Sequence, residues 1–224
     1  LLYSSKAKDL LRNNPISLLV NAKMAQKAGE TNLVLRNFKQ LLVEKETRSV
    51  ALSGIVSEKI KAGDYESAIR LTKKSIEINP KNTSNINTLF NLQLLENDWK
   101  GARQTLQLKK KHDKIPHSTF LRQEASLIFC DAKQKQSQGL TKEALDMALA
   151  AVRQYPSFVA GLSFLTELEL LHGNRKRVAK LLQKGWALFP HPAIAKSFAK
   201  LERNETAQAR KARFEVLTKM KDTG

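Results

Sequence analysis

Apolar residues recur along this chain at helical spacing, and one short grammar interrupts them at regular intervals. Its clearest copy is Ala62-Gly63-Asp64-Tyr65-Glu66-Ser67-Ala68, closed by Asn79-Pro80. Gly63 ends one apolar helix pattern, Asp64 is placed to cap the next, and Pro80 stops it. The same order returns at Gly139-Leu140-Thr141 with Pro156 and at Gly173-Asn174-Arg175 with Pro190. The glycine-to-proline distance is identical in all three. Gly29 and Asn97 mark two further turns. Five residues after each of the five turns stand Val34, Ala68, Ala102, Ala144 and Val178, small enough to let two helices cross closely. Eleven residues before each stand Leu18, Leu52, Ile86, Ile128 and Leu162, all aliphatic and on the buried stripe of a first helix.

The turns at Gly29, Gly63, Asn97, Gly139 and Gly173 are evenly spaced, except that the fourth comes late. Their regular interval matches the period of about 34 residues, with two antiparallel helices per repeat, that marks tetratricopeptide proteins. The pattern predicts an all-α right-handed superhelical solenoid running through residues 1–224 as one array of about five full repeats. Residues 1–15 read as a partial leading repeat, with 6–12 the tail of its last helix. The helix pairs are expected at 16–28 with 32–43, 47–62 with 65–78, 84–96 with 99–110, 117–138 with 142–154, and 157–172 with 176–188. Helices at 191–203 and 206–220 cap the array. The longer spacing before Gly139 falls on the charged connection Lys109-Lys110-Lys111-His112-Asp113-Lys114-Ile115-Pro116 and on an extended first helix after it.

Composition adds charge to this picture. Thirty-nine Lys and Arg against 21 Asp and Glu leave +18, a field that draws nucleic acid, anionic lipid or an acidic protein. Solvated helix faces account for the same charges without any partner. Cys130 is the single cysteine, so the chain forms no internal disulfide and no cysteine metal cluster. No run reaches the roughly 18 apolar residues of a membrane span. The start at Leu1, in the middle of a repeat, leads us to expect a piece of a longer protein.

The residues of catalysis are not assembled in this pattern. There is no glycine-rich phosphate loop, no Cys-x-x-Cys, no His-Glu-x-x-His and no Gly-x-Ser-x-Gly. His112, His117, His172 and His191 fall in turns or at helix edges, and no two share the spacing that puts two ligands on one helix face. We therefore expect a non-enzymatic protein with no cofactor and no metal. First-helix positions Lys23, Gln26, Ser53, Ser57, Asn87, Asn91, Phe129, Lys133, Ser163 and Glu167 are expected to line a concave protein-binding groove. Ser126 and Cys130 occupy places where a carboxylate clamp for chaperone tails would need basic residues. Three basic clusters complete the surface: Lys109, Lys110 and Lys111; Arg175, Lys176 and Arg177; and Arg210, Lys211 and Arg213. Aromatic stacking platforms are not interleaved with them, which favours an anionic membrane surface or an acidic protein over nucleic acid. Trp99 and Trp186 fall on second helices, where packing between repeats is their expected role.

Two stretches carry a more specific resemblance. The run Leu95-Glu96-Asn97-Asp98-Trp99-Lys100-Gly101-Ala102 and the ending Gly185-Trp186-Ala187-Leu188-Phe189-Pro190-His191-Pro192 resemble bacterial HemY-type proteins, as does the basic tail Ala209-Arg210-Lys211-Ala212-Arg213. Glu46-Thr47-Arg48 fits that family's link between its first two repeats. Asn97 and the eight-residue insertion before Gly139 depart from its pattern. The resemblance implies a tetratricopeptide region tethered to the inner membrane of Gram-negative bacteria and linked to haem (protoporphyrin) biosynthesis. It implies a non-enzymatic scaffold whose protein partners include haem-pathway enzymes. Direct haem or porphyrin binding in the groove, with His191 or His172 as ligands, and nucleic-acid binding through the basic clusters are the competing expectations.

Overall fold

A computed structural model describes residues 14–202 and 204–219. The expected helix tail at 6–12 lies outside the described residues, as do Arg203 and Met220. Among the described residues the structure holds twelve helices and no strand. They are α1 (Pro15–Ala28), α2 (Thr31–Leu41), α3 (Arg48–Lys61), α4 (Tyr65–Ile78), α5 (Thr83–Leu95) and α6 (Trp99–His112), then α7 (His117–Ser137), α8 (Thr141–Gln154), α9 (Val159–Leu171), α10 (Arg175–Leu188), α11 (Pro192–Ala199) and α12 (Ala207–Lys219). The fold is all-α and of the tetratricopeptide-repeat solenoid class.

The chain divides into two compact units, Leu1–Lys114 and Ile115–Gly224, and the boundary falls inside the link flagged by the lengthened spacing. In the first unit each helix from α1 to α6 packs on its sequence neighbours. In the second, α7 to α10 pair in the same way, and α11 and α12 close against α10. Helix α7 is 21 residues long. Its two additional N-terminal turns bury Phe120, and Gln154 at the end of α8 donates a hydrogen bond to Glu124 Oε2 at 2.7 Å.

The positions marked by the repeat are the ones that build the core. Leu18, Leu52, Ile86, Ile128 and Leu162 are at most 7% exposed, and the small residues Val34, Ala68, Ala102, Ala144 and Val178 are fully buried. A side chain larger than valine at the latter would hold the paired helices apart. At Gly54 and Gly185 a side chain of the adjacent helix lies directly against the glycine backbone. A Cβ at Gly54 would stand 2.3 Å from the Phe38 ring, and one at Gly185 would stand 2.3 Å from Leu162 Cδ2.

Every intra-repeat turn closes in the same way. The turn residue, one or two places beyond the end of the first helix, takes positive φ, 73° at Gly63, and its amide and the next one return to the last helical turn. Thus Gly63 N–H donates to Ile60 O at 3.0 Å and Asp64 N–H donates to Lys59 O at 2.9 Å. Asn97 does the same at φ 55°, the single non-glycine residue with positive φ among the described residues. Asparagine tolerates this region better than other residues with a Cβ, which is why the period survives there.

A polar clasp crosses four of these turns. It starts from the residue four before the turn position, Lys59, Gln93, Lys135 or Glu169. Lys59 Nζ meets Asp64 at 2.8 Å, and Lys135 Nζ meets Glu143 at 3.3 Å. Thr105 donates to buried Gln93 at 2.7 Å. Fully buried Glu169 accepts from Asn174 at 2.7 Å and pairs with Arg177 at 3.1 Å. In the first repeat that place holds Ala25, inside the apolar core.

Helix ends agree with the sequence expectation to within two residues, with one exception. Helix α11 stops at Ala199 rather than continuing to 203. The Lys200 and Leu201 amides turn back to Ser197 O and Phe198 O, Leu201 folds onto the core, and Arg213 takes the Phe198 carbonyl. The Arg213 guanidinium also lies over the Phe198 and Phe214 rings at 4.9 and 5.5 Å from their centroids.

Candidate functional site

The groove positions expected from the sequence recur once per repeat on the first helices. Lys23, Ser57 and Asn91 stand one period apart, as do Ser53 and Asn87, and Phe129 and Ser163. None of them is buried. In the first unit this ridge is made of hydroxyls and amides. Ser53 is exposed and donates to Ser49 O at 3.0 Å, Ser57 and Asn87 are half-buried, and Asn91 and Lys23 are exposed. Beneath it Gln26 on α1 donates to Glu58 on α3 at 3.0 Å, and Lys61 donates to the same oxygen at 2.8 Å. Burial pushes the Glu58 carboxyl up, but the Lys61 and Gln26 hydrogen bonds outweigh it and hold it below the usual value.

Beside Ser53 the ridge opens into a cavity of roughly 200 Å³ between α3, α4 and α5, lined by Ser53, Val56, Thr72, Ser75, Ser84, Asn85 and Thr88. Its floor is pre-set. Asn85 Nδ2 donates to Ser75 Oγ at 2.7 Å, Thr72 donates to Ala68 O at 2.7 Å, and Thr88 donates to Ser84 O at 3.0 Å. With their protons committed, the Thr72 and Thr88 hydroxyls face a visitor chiefly as acceptors. Pockets for drug-sized ligands start at about 300 Å³. This one suits a single polar side chain rather than a porphyrin.

Sequence reasoning reached Ser53 but missed Thr72, Ser75, Ser84, Asn85 and Thr88. The signal was present on the second helix. Thr72 stands where the other repeats place Phe38, Leu106, Ala148 and Leu182, and Ser75 where Leu41, Ala151 and Gly185 stand in three of them.

In the second unit the equivalent positions are more committed to packing. The Phe129 ring lies edge-on to Phe158 and Phe164, at 5.3 and 5.4 Å between centroids, and Lys133 Nζ stands 5.7 Å above it. Glu167 is ion-paired with Lys200 at 3.0 Å, and Ser163 is half-buried. Cys130 is half-buried beside them, and burial pushes its thiol up against the opposing pull of Lys133.

The basic clusters are divided between the fold and the surface. Arg175 pairs with Glu202 at 3.2 Å, Arg177 with Glu169, and Arg210 and Arg213 share Glu205. Lys109 is half-buried with its ammonium 4.7 Å above the Phe90 ring. Lys110, Lys111, Lys176 and Lys211 are exposed. His191 caps α11, its Nδ1 accepting from the Ala193 amide at 3.1 Å while its ring stacks on Phe189. His172 Nδ1 lies 2.8 Å from Leu168 O. Each of these two imidazoles is thus engaged by its own helix end. Trp186 packs against the core formed by Leu162, Val178, Leu182 and Ile194.

No protein-family model and no curated protein matches this chain. Solved structures do resemble it. A MamA crystal structure superposes with a TM-score of 0.45 at 13% identity, covering 87% of this chain and 98% of its own. YrrB, described as a TPR protein with an unusual peptide-binding site, gives 0.45 at 18% identity over 86% and 96%. A tetratricopeptide repeat protein from Parabacteroides merdae gives 0.44 at 11% identity over 91% and 98%.

Proposed function

We propose that this protein is a non-enzymatic interaction module that takes an extended segment of a partner protein along the first-helix ridge of its first unit. The observation that carries this reading is the polar cavity bounded by Ser53, Thr72, Ser75, Ser84, Asn85 and Thr88, adjoining the ridge of Ser57, Asn87 and Asn91. An extended peptide presents unpaired amides and carbonyls at every residue along its length, and side-chain hydroxyls and amides satisfy both. The cavity receives one side chain that donates hydrogen bonds. Lys23 and Lys27, both exposed, favour acidic residues elsewhere in the segment.

Photocrosslinking in cells tests this. A photoreactive residue at Ser57 or Asn91 is expected to capture a partner that one at Lys73, on the exposed face of α4, does not. Equal capture at all three overturns the reading. We further propose that the partners are haem-pathway proteins at a bacterial inner membrane, supported by the resemblance of the 185–195 ending and the Asn97-Asp98-Trp99 turn. Adducts at Ser57 and Asn91 that contain no haem-pathway enzyme count against that finer reading alone.

A further inference from the structure

Helix α10 carries five basic residues and no acidic one. The structure divides them. Arg175 and Arg177 turn to Glu202 and Glu169, while Lys176, Lys180 and Lys184 are exposed and meet no carboxylate among the described residues. The three lysines follow one another at i, i+4 and i+8, a slanting ridge about 12 Å long at 1.5 Å per residue. Two like-charge i, i+4 pairs oppose the helix by a few tenths of a kcal/mol each, with no internal partner to offset them. The ridge runs directly into Leu188 and Phe189, which are 63% and 47% exposed at the C-terminal end of the helix.

From this juxtaposition we propose that the Lys176–Lys180–Lys184 ridge and its Leu188–Phe189 tip dock on an anionic lipid bilayer. Point-charge ammoniums on flexible stems suit a diffuse field of headgroups. The two arginines of this helix, whose forks would suit the individual phosphates of a nucleic acid, are ion-paired instead with Glu202 and Glu169. The apolar tip then has a use, because a bilayer offers it an acyl boundary to enter.

The test is sedimentation of the full chain with phosphatidylcholine vesicles, with and without phosphatidylglycerol. Binding is expected only when phosphatidylglycerol is present and is expected to weaken as salt rises. Each Lys→Gln change at 176, 180 or 184 should weaken it about fivefold, the equivalent of about 1 kcal/mol per cation near the surface. Leu188→Ser with Phe189→Ser should weaken it without altering its salt dependence. A control triple at exposed Lys73, Lys111 and Lys142 is expected to bind nearly as the parent does. The proposal is overturned if the α10 triple binds as the parent does, or if the control triple loses as much. It is likewise overturned if duplex or single-stranded nucleic acid binds more tightly at the same salt and loses that binding with the α10 triple. Circular dichroism of each variant verifies that these exposed substitutions leave the helices intact.

Discussion

Asp64 caps α4 through the Ser67 amide at 3.2 Å and clasps Lys59 at 2.8 Å, two tasks for one carboxylate. The Lys59 hydrogen bond, aided by the Ser67 amide, holds its pKa at about 2 against an ordinary 3.8. A folded-state pKa below the unfolded one means that the contribution is complete above the unfolded value and is lost as pH falls through the folded one. Asp64 therefore stabilises the fold above about pH 4 and ceases to do so near pH 2. Glu58 and Glu205, also lowered, act in the same direction. Carboxyl NMR is expected to place the Asp64 midpoint close to 2, and Asp64→Asn should flatten the acid-side loss of stability between those values. A midpoint at the ordinary value would mean that the Lys59 contact does not persist in solution. Asp64 as a cap was visible in the sequence, because the cap and its helix are local. Its bond to Lys59, made across the turn, was not.

At the scale of the element, the turn decides more than the helices do. Asn97 and Gly63 perform one task with different side chains, and the difference is measurable. Asn97→Gly relieves a Cβ in left-handed backbone and is expected to raise stability by about 0.5–1 kcal/mol, while Gly63→Ala should lower it by about 1–2 kcal/mol. Open space surrounds Gly63, so the loss on Gly63→Ala comes from backbone strain rather than from a clash. Denaturant midpoints of the two variants check both signs. The period, the five turns and the buried first-helix stripe were all legible because each depends on residues a fixed distance apart. The end of α11 was not, since Arg213 from α12 takes the Phe198 carbonyl in its last turn. The cavity escaped because it is defined by what α4 lacks, bulk at Thr72 and Ser75, rather than by a motif. Phe129 reads as a groove residue by register, yet two phenylalanines from α9 and its approach hold its ring, a fact of packing that periodicity does not carry.

For the molecule as a whole, each unit has its own core. The first is centred on Leu18, Val34, Phe38, Leu41 and Ile55, and the second on Leu162, Val178, Leu182, Ile194 and Leu217. Stability in repeat proteins is close to a sum of repeat and nearest-neighbour contributions, so damage stays near its origin. Phe38→Ala removes a buried ring that also seats Gly54, and is expected to cost about 3–5 kcal/mol in the first unit. Hydrogen exchange should then rise in α1 to α4 and remain unchanged in α9 to α11. A uniform rise would show that the two cores unfold as one.

An array of near-copies faces a sorting problem while it folds, because any first helix presents an acceptable aliphatic stripe to any second helix. The clasps resolve the ambiguity by polarity. In the second and fourth repeats the first helix brings the cation, Lys59 or Lys135, and the second brings the anion. In the fifth repeat the order is reversed, with Glu169 facing Arg177. Pairing the fifth first helix with Glu143, or the fourth with Arg177, sets like charges against each other at the turn. Charge order thus acts as an address, and Glu169→Lys would erase it. That variant is expected to refold more slowly and with more aggregation, beyond the equilibrium stability it loses, as stopped-flow refolding and light scattering would show.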